Sequence, residues 1–450
     1  MVDRPAPLVA EIAEVRALLE SHHAGREMAS DDVHAAPGTA ADTPLDRLAA
    51  VMSLSAFERR VVVTAAGVEL DGSFARLVAE MNGTKDPRPT FGLLLTALPG
   101  GHWDALAPAS PLRWWQLVDL DRSDTLATRA LRLDESVLHY LVGITALDER
   151  LRGIREESSG GPGLAPSQRV VAEDLARTVA GAHARMLVRL EGRDVAAVHA
   201  AARYIGAVLG RHATFIRGDA LPPPGPDLAA VGRLIDRSAL LADELPVLDG
   251  EGAGDETLRA LIDGLVAPVV LLTGSRTGVQ VKGRDELHGS IGWPSPSEQK
   301  VIWLEALGLD AVASEANGGL GTAIDDVTQH YRLGVGAVEG AARELLARAT
   351  TPSDLPASIA RLCRQRTRTP LGGLAERVDT HAGWDDLVLP PGQIEMLRDI
   401  ARQVRHRAEV YERWGFAARG ERGLGVTALF AGESGTGKTL AAEVLASDLD

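Results

Sequence analysis

A chain of 450 residues, 45% hydrophobic and 24% charged, exceeds what one core needs at roughly 150 residues per domain, so about three domains are expected. No apolar run approaches the roughly 18 residues of a membrane span, and Asp3, Arg4, Glu11, Glu14 and Arg16 interrupt the continuous stretch a secretory signal would need; the expected location is the cytoplasm. A net charge of −15 argues against general affinity for nucleic acid, and the lone cysteine, Cys363, excludes an intramolecular disulfide and reads as a buried or idle thiol.

At the amino terminus Leu8, Ile12, Val15, Leu18 and Leu19 recur at helical spacing, and a stretch rich in Ala, Asp, Gly and Pro then runs to about Pro44. Residues 1–43 therefore read as a short helix and a flexible tether. From Leu45 to Ile154 two amphipathic patterns precede two strand-like runs, Trp114 to Leu120 and Arg129 to Leu133, and a helix through Tyr140. Helices with one hairpin predict a mostly helical, winged-helix-like domain over 44–157. A winged helix invites DNA, but residues 44–155 carry 14 acidic and 13 basic groups, and Asp119, Asp121 and Asp124 lie in or beside the wing, where they would face phosphate. Protein interaction or packing is preferred over DNA binding, with Trp114 and Trp115 as core or interface aromatics.

Ser158 to Gly163 has no composition to fold and predicts a linker over 158–167. Residues 168–276 then alternate helical patterns with strand-like runs, Met186 to Leu190, Thr214 to Arg217, Leu245 to Asp249 and Pro268 to Leu272. Such alternation predicts a parallel α/β sheet. Residues 322–349 are helical in period, Thr350 to Asp354 breaks the pattern, and the basic stretch Arg361 to Arg368 reads as a solvated face within a linker over 351–383.

The chemistry lies near the carboxy-terminal end. An apolar run, Leu424 to Ala431, suits a buried strand; it is followed by Gly432, Glu433, Ser434, Gly435, Thr436, Gly437, Lys438 and Thr439, and then by the helix-forming Leu440 to Leu445. Strand, G-x-x-x-x-G-K-[ST] loop and helix make a phosphate-binding loop. Glycines let the backbone wrap so that N–H groups and the helix terminus point at phosphates. Lys438 is expected to reach the β- and γ-phosphates, and Thr439 to ligate Mg2+ through its hydroxyl; ATP with Mg2+ is the expected cofactor, held by residues 432–439 and Leu440. Chance gives roughly 0.005 such matches in a chain of this composition. Ser434 is not read as a nucleophile, since Thr436 stands where G-x-S-x-G needs its second glycine.

Trp384 to Pro390, the helical run from Gln393 through Val410, Trp414-Gly415-Phe416 and the loop itself resemble the opening of a AAA+ type P-loop ATPase module, over residues 384–450. The resemblance implies that Asp386 to Leu389 line the adenine pocket, and that Lys438 and Thr439 act in ATP hydrolysis by the intact protein. Only eleven residues follow Thr439, so no Walker B acids, sensor or arginine finger are expected in this segment, which alone should be nearly inactive. Residues 168–350 resemble a degenerate copy of the same module. A 240-residue offset sets Leu190-Glu191-Gly192 against Phe430-Ala431-Gly432, and puts Val195, Ala197, Val198 and His199 at the places of Gly435, Gly437, Lys438 and Thr439. Leu245 to Asp249 then resembles a Walker B strand, Pro268 to Thr273 a sensor strand, and Trp293 to Glu298 the start of the lid. Winged-helix-like region, inactive copy and active module together are similar to bacterial ATPases encoded with contractile injection systems. That similarity implies a homo-oligomeric ring such as a hexamer, acting on a protein client that belongs to such a system. The competing reading is a nucleotide-switched signalling protein or regulator whose winged helix binds DNA.

Overall fold

The computed structural model describes residues 6–25, 43–121, 125–144, 148–156, 160–181, 185–274, 279–309, 320–348, 355–367, 382–406, 410, 414 and 426–449. They divide into two units, Met1–Trp293 and Pro294–Asp450. Among the described residues no helix is long and apolar enough to cross a membrane.

The first unit opens with α1 (Ala6–His23), α2 (Pro44–Val51), α3 (Ala56–Leu70), α4 (Gly72–Asn82), α5 (Phe91–Ala97) and α6 (Pro111–Trp114). Ser55 starts α3 with a capping box, its hydroxyl accepting from the Glu58 N–H while the Glu58 carboxylate accepts from the Ser55 N–H. A two-stranded antiparallel wing follows, β1 (Val118–Leu120) and β2 (Leu131–Leu133), and then α7 (Glu135–Leu141). Two expectations change here. Leu8, Ile12, Val15 and Leu19 of α1 are buried in one core with Phe57, Val61 and Phe74, so the first helix is part of the domain and not the start of a tether; residues 26–42 lie outside the described set. The run Trp114 to Leu120 is not one strand, because Ser110-Pro111 starts a helical turn and Gln116, at φ 51°, reverses the chain before β1. Asp124 lies outside the described residues.

The α/β part comprises α8 (Pro166–Ala180), β3 (Met186–Glu191), α9 (Val195–Val208), β4 (His212–Arg217), α10 (Pro226–Leu241), β5 (Glu244–Asp249), α11 (Asp255–Gly264), β6 (Val269–Thr273) and β7 (Asp285–Ser290). All five strands run parallel in the order β4-β5-β6-β3-β7. The fold is α/β, as the alternation predicted. Because successive strand side chains point to opposite faces, Val188, Leu190, Val247, Val270 and Leu272 pack under α8 and α9, whereas Leu187, Leu248, Val269 and Leu271 pack under α10 and α11. Strand β7, Asp-Glu-Leu-His-Gly-Ser, lies at the sheet edge and is half polar, so it gives no apolar run to read.

The chain does not leave the winged-helix region through a free linker alone. Arg155 bridges Ile216 antiparallel, Glu156 donates its N–H to the Phe215 carbonyl at 3.0 Å, and the Arg217 N–H reaches the Ile154 carbonyl at 2.8 Å. Residues 154–156 thus line the β4 edge, and Arg155 pairs with Glu244 of β5 through two bonds of 2.7 and 3.0 Å. Ser158 and Ser159 of the expected linker lie outside the described residues.

In the second unit α12 (Pro296–Leu307), α13 (Leu320–His330), α14 (Val335–Arg348) and α15 (Leu355–Thr367) close around fully buried Trp303. The linker expected over 351–383 gives way to α15: Ile359, Leu362 and Cys363 are buried on one side while Arg361 and Arg366 stay on the other. The basic residues masked a helical period that continues the bundle; residues 350–354 and 368–381 lie outside the described set. Burial pushes the Cys363 thiol up to about 12, which leaves almost no thiolate at neutral pH. A colorimetric thiol reagent at pH 8 should therefore label native protein far more slowly than denatured protein, and equal rates would contradict a buried Cys363.

Candidate functional site

The last helix, α17 (Lys438–Leu449), and α16 (Pro391–Arg405) hold the candidate loop, Gly432 to Thr439. Ala441, Val444 and Leu445, spaced three and four apart on one helix face, pack against Leu397 and Ala401 of α16 and against Leu387. The Arg405 guanidinium holds Asp448 at 2.8 Å. A hydrogen bond from Trp384, more than that ion pair, keeps the Asp448 carboxyl below its usual range.

The loop rises from this support. Gly435 and Gly437 both have φ 84°, the left-handed region that residues with a Cβ avoid. A Cβ built on either would meet nothing within 4 Å, so backbone conformation, not crowding, requires glycine there. The Lys438 ammonium turns back into the loop, 2.6 Å from the Glu433 carbonyl, 3.1 Å from the Gly432 carbonyl and 3.5 Å from the Thr436 hydroxyl. Thr436 also donates to the Glu433 carbonyl at 2.9 Å. The Ala441 N–H closes the first helical turn onto the Gly437 carbonyl at 2.8 Å, so the N–H groups before it face outward without an intrahelical partner. Thr439 is exposed and Leu440 half-buried. One cation, a glycine-shaped ring and a helix terminus are the donors a phosphate chain needs.

Not every expected neighbour is in place. Val426 to Phe430 has no regular secondary structure and pairs with no strand among the described residues, and Leu429 is 91% exposed. The expectation of a buried strand is corrected: a strand is buried only when its ladder is filled, and all five strands of the sheet come from the first unit. Leu424 lies outside the described residues. Of the segment expected to line the adenine pocket, Leu387 is buried against α17 while Val388 is 94% exposed.

The corresponding turn of the sheet, between β3 and α9, is built otherwise. Only Gly192, Arg193 and Asp194 separate strand from helix, whereas six residues, Gly432 to Gly437, precede α17. Helix α9 begins at Val195, three residues ahead of the place the 240-residue offset gives Lys438. The Asp194 carboxylate accepts from the Ala196 and Ala197 N–H groups at 3.1 and 3.3 Å, so a side chain of the protein itself occupies the helix terminus. A Cβ on Gly192 would lie 2.7 Å from both the Ile291 carbonyl and the Val198 side chain. His199 stacks on Phe215 with centroids 4.8 Å apart, and burial lowers its pKa. Asp194 escaped the sequence reading, although an Asp directly before an alanine-rich helix is a capping signal.

Comparison with known proteins gives two family matches. Residues 3–154 match the winged helix domain, variant, and residues 295–369 match the contractile injection system ATPase helical domain. No curated protein matches the chain. Among solved structures, PCH-2 from C. elegans aligns at 12% identity over 45% of this chain and 68% of its own, with a TM-score of 0.33. Rhizobiales Trip13 aligns at 15% identity over 43% and 85%, with a TM-score of 0.29. The first match takes in α1, and the second takes in all four helices of the bundle around Trp303. The chain therefore carries, over residues 3–154 and 295–369, segments that match a winged helix domain and the helical domain of contractile injection system ATPases.

Proposed function

We propose that residues 432–439 bind ATP with Mg2+, and that the whole protein hydrolyses it as a homo-oligomeric ring acting on a protein client, a component of a contractile injection system. The observation that carries this reading is the Lys438 ammonium set inside a loop turned by Gly435 and Gly437 at the mouth of a twelve-residue helix. The residues fit the ligand. Backbone N–H groups of the loop and of Leu440 would hold phosphate oxygens, Lys438 would neutralise the β- and γ-phosphates, and the Thr439 hydroxyl would ligate the metal. Bound Mg2+ supplies the charge that offsets what develops on the transferred phosphoryl group.

We also read residues 168–350 as a AAA-like copy that no longer binds nucleotide. Its support is the shortened turn after β3, the absence of any lysine there, and the Asp194 carboxylate on the helix terminus, which would repel a triphosphate. Equilibrium titration of the full-length protein with a fluorescent ATP analogue should therefore saturate at one tight site per protomer. Two tight sites would overturn the assignment of the first module.

A further inference from the structure

We infer that the helix which reads duplex DNA in a helix-turn-helix fold serves here as an intramolecular dock that fixes the winged-helix domain on α10 of the sheet. In that fold two helices precede the wing, and the second enters the major groove while the first crosses the backbone. Here α5 is the first, α6 with its turn to Leu117 is the second, and β1 and β2 form the wing, with Thr90 before α5 bridging Ala130 beside it.

The groove-reading segment is already taken. The Gln116 side chain donates to the Ala230 carbonyl of α10 at 3.0 Å. Arg237 of α10 donates to the Gln116 carbonyl at 2.6 Å and to the Trp115 carbonyl at 3.2 Å. The Arg233 guanidinium lies 5.2 Å over the Trp114 ring. The left-handed φ of Gln116 turns both carbonyls towards Arg237, a backbone state that non-glycine residues keep only where their surroundings demand it. Around the same arginine stand Asp134 at 2.9 Å, Asp148 at 2.7 Å and the Ser136 hydroxyl at 2.6 Å, all from the winged-helix region. Arg237 is 3% exposed. Leu241, at the other end of α10, is buried in the winged-helix core, and Arg47 of α2 reaches the Leu240 carbonyl at 3.1 Å. The contact therefore runs along α10 for several turns and combines apolar burial with a satisfied set of charges.

Duplex DNA would have to displace α10 to reach this segment, and it would then meet Asp134 and Asp148, which lose their arginine as the helix leaves. The partner of the reading helix is thus α10 of the same chain, and winged helix and sheet move as one body.

The test uses the full chain. Arg237→Met should split the unfolding of the first unit into two calorimetric transitions and speed tryptic cleavage between Arg152 and Arg169 about tenfold, by freeing the connecting segment. Gln116→Ala, a milder change that keeps the charges intact, should raise cleavage by a smaller factor, and it decides the matter if Arg237→Met does not fold. Unchanged cleavage in Gln116→Ala together with an unsplit transition in a folded Arg237→Met would overturn the dock. Wild-type protein should show no micromolar binding to a short fluorescent duplex at physiological salt. Duplex binding that Arg113→Ala and Trp114→Ala both abolish would overturn it as well.

Discussion

Lys438→Ala should weaken ATP binding to the whole protein by about a hundredfold or more while leaving its thermal unfolding unchanged. Truncating one partner of a charge-assisted contact costs about 2–5 kcal/mol, and each 1.4 kcal/mol is a factor of ten. No other lysine or arginine lies in residues 432–439, so nothing in the loop takes over the charge. Stability should hold because Lys438 bonds only to carbonyls and a hydroxyl of its own loop, whereas Ala441, Val444 and Leu445 carry the packing of α17; substitutions away from a core stay within about 0.5 kcal/mol. Lys438→Arg keeps the charge but replaces a compact ammonium by a planar fork, and it should recover only part of the affinity. Calorimetric titration of each variant is the measurement. Wild-type affinity in a folded Lys438→Ala would sink the assignment of the loop.

The candidate loop stands out in the sequence because its chemistry is contiguous: a backbone cradle, a cation and a hydroxyl must follow one another within eight residues, and Gly435 and Gly437 within it take φ 84°. Four of the five parallel strands were legible for a related reason, since strands buried on both faces write largely apolar runs. What escaped is non-local or polar. Strand β7 is held by pairing with β3 and not by its own composition. Helix α15 hides Ile359, Leu362 and Cys363 among arginines. The contacts of Arg237 cross 89 to 122 residues of sequence, a distance over which no pattern in a single chain specifies a partner. The same blindness made α1 look like the head of a tether, because nothing in its own spacing names α3 as the surface it covers. In the turn after β3 the gapless alignment is off by three residues, because that turn is short and its helix end is capped by Asp194.

Asp148→Ala should destabilise the first unit by about 3–5 kcal/mol, the cost of breaking a buried pair by removing one member. Asp148, 6% exposed, accepts from Arg237 at 2.7 Å and from Arg150 at 2.7 and 3.0 Å. In the variant Asp134 alone must balance two guanidinium groups. Arg150, with 42% of its side chain exposed, can turn to water, but Arg237, at 3%, cannot. The same geometry sets the pH dependence. Burial alone would raise the Asp148 pKa, yet the Arg150 hydrogen bond and the attraction of Arg150 and Arg237 outweigh it and hold the carboxyl below its ordinary value. A depressed folded pKa means that the stabilisation is fully present above the unfolded value of about 3.9 and is lost as pH falls through the folded value. The gap between wild type and Asp148→Ala should therefore be widest near neutral pH and close in acid below about pH 3.9. Replacing both members, Asp148→Leu with Arg237→Met, should cost less than the two single changes added together, since neither charge is then stranded. Urea unfolding of the five proteins at neutral and acid pH measures both effects; a gap that stays constant as pH falls would show that Asp148 acts through shape and not through charge.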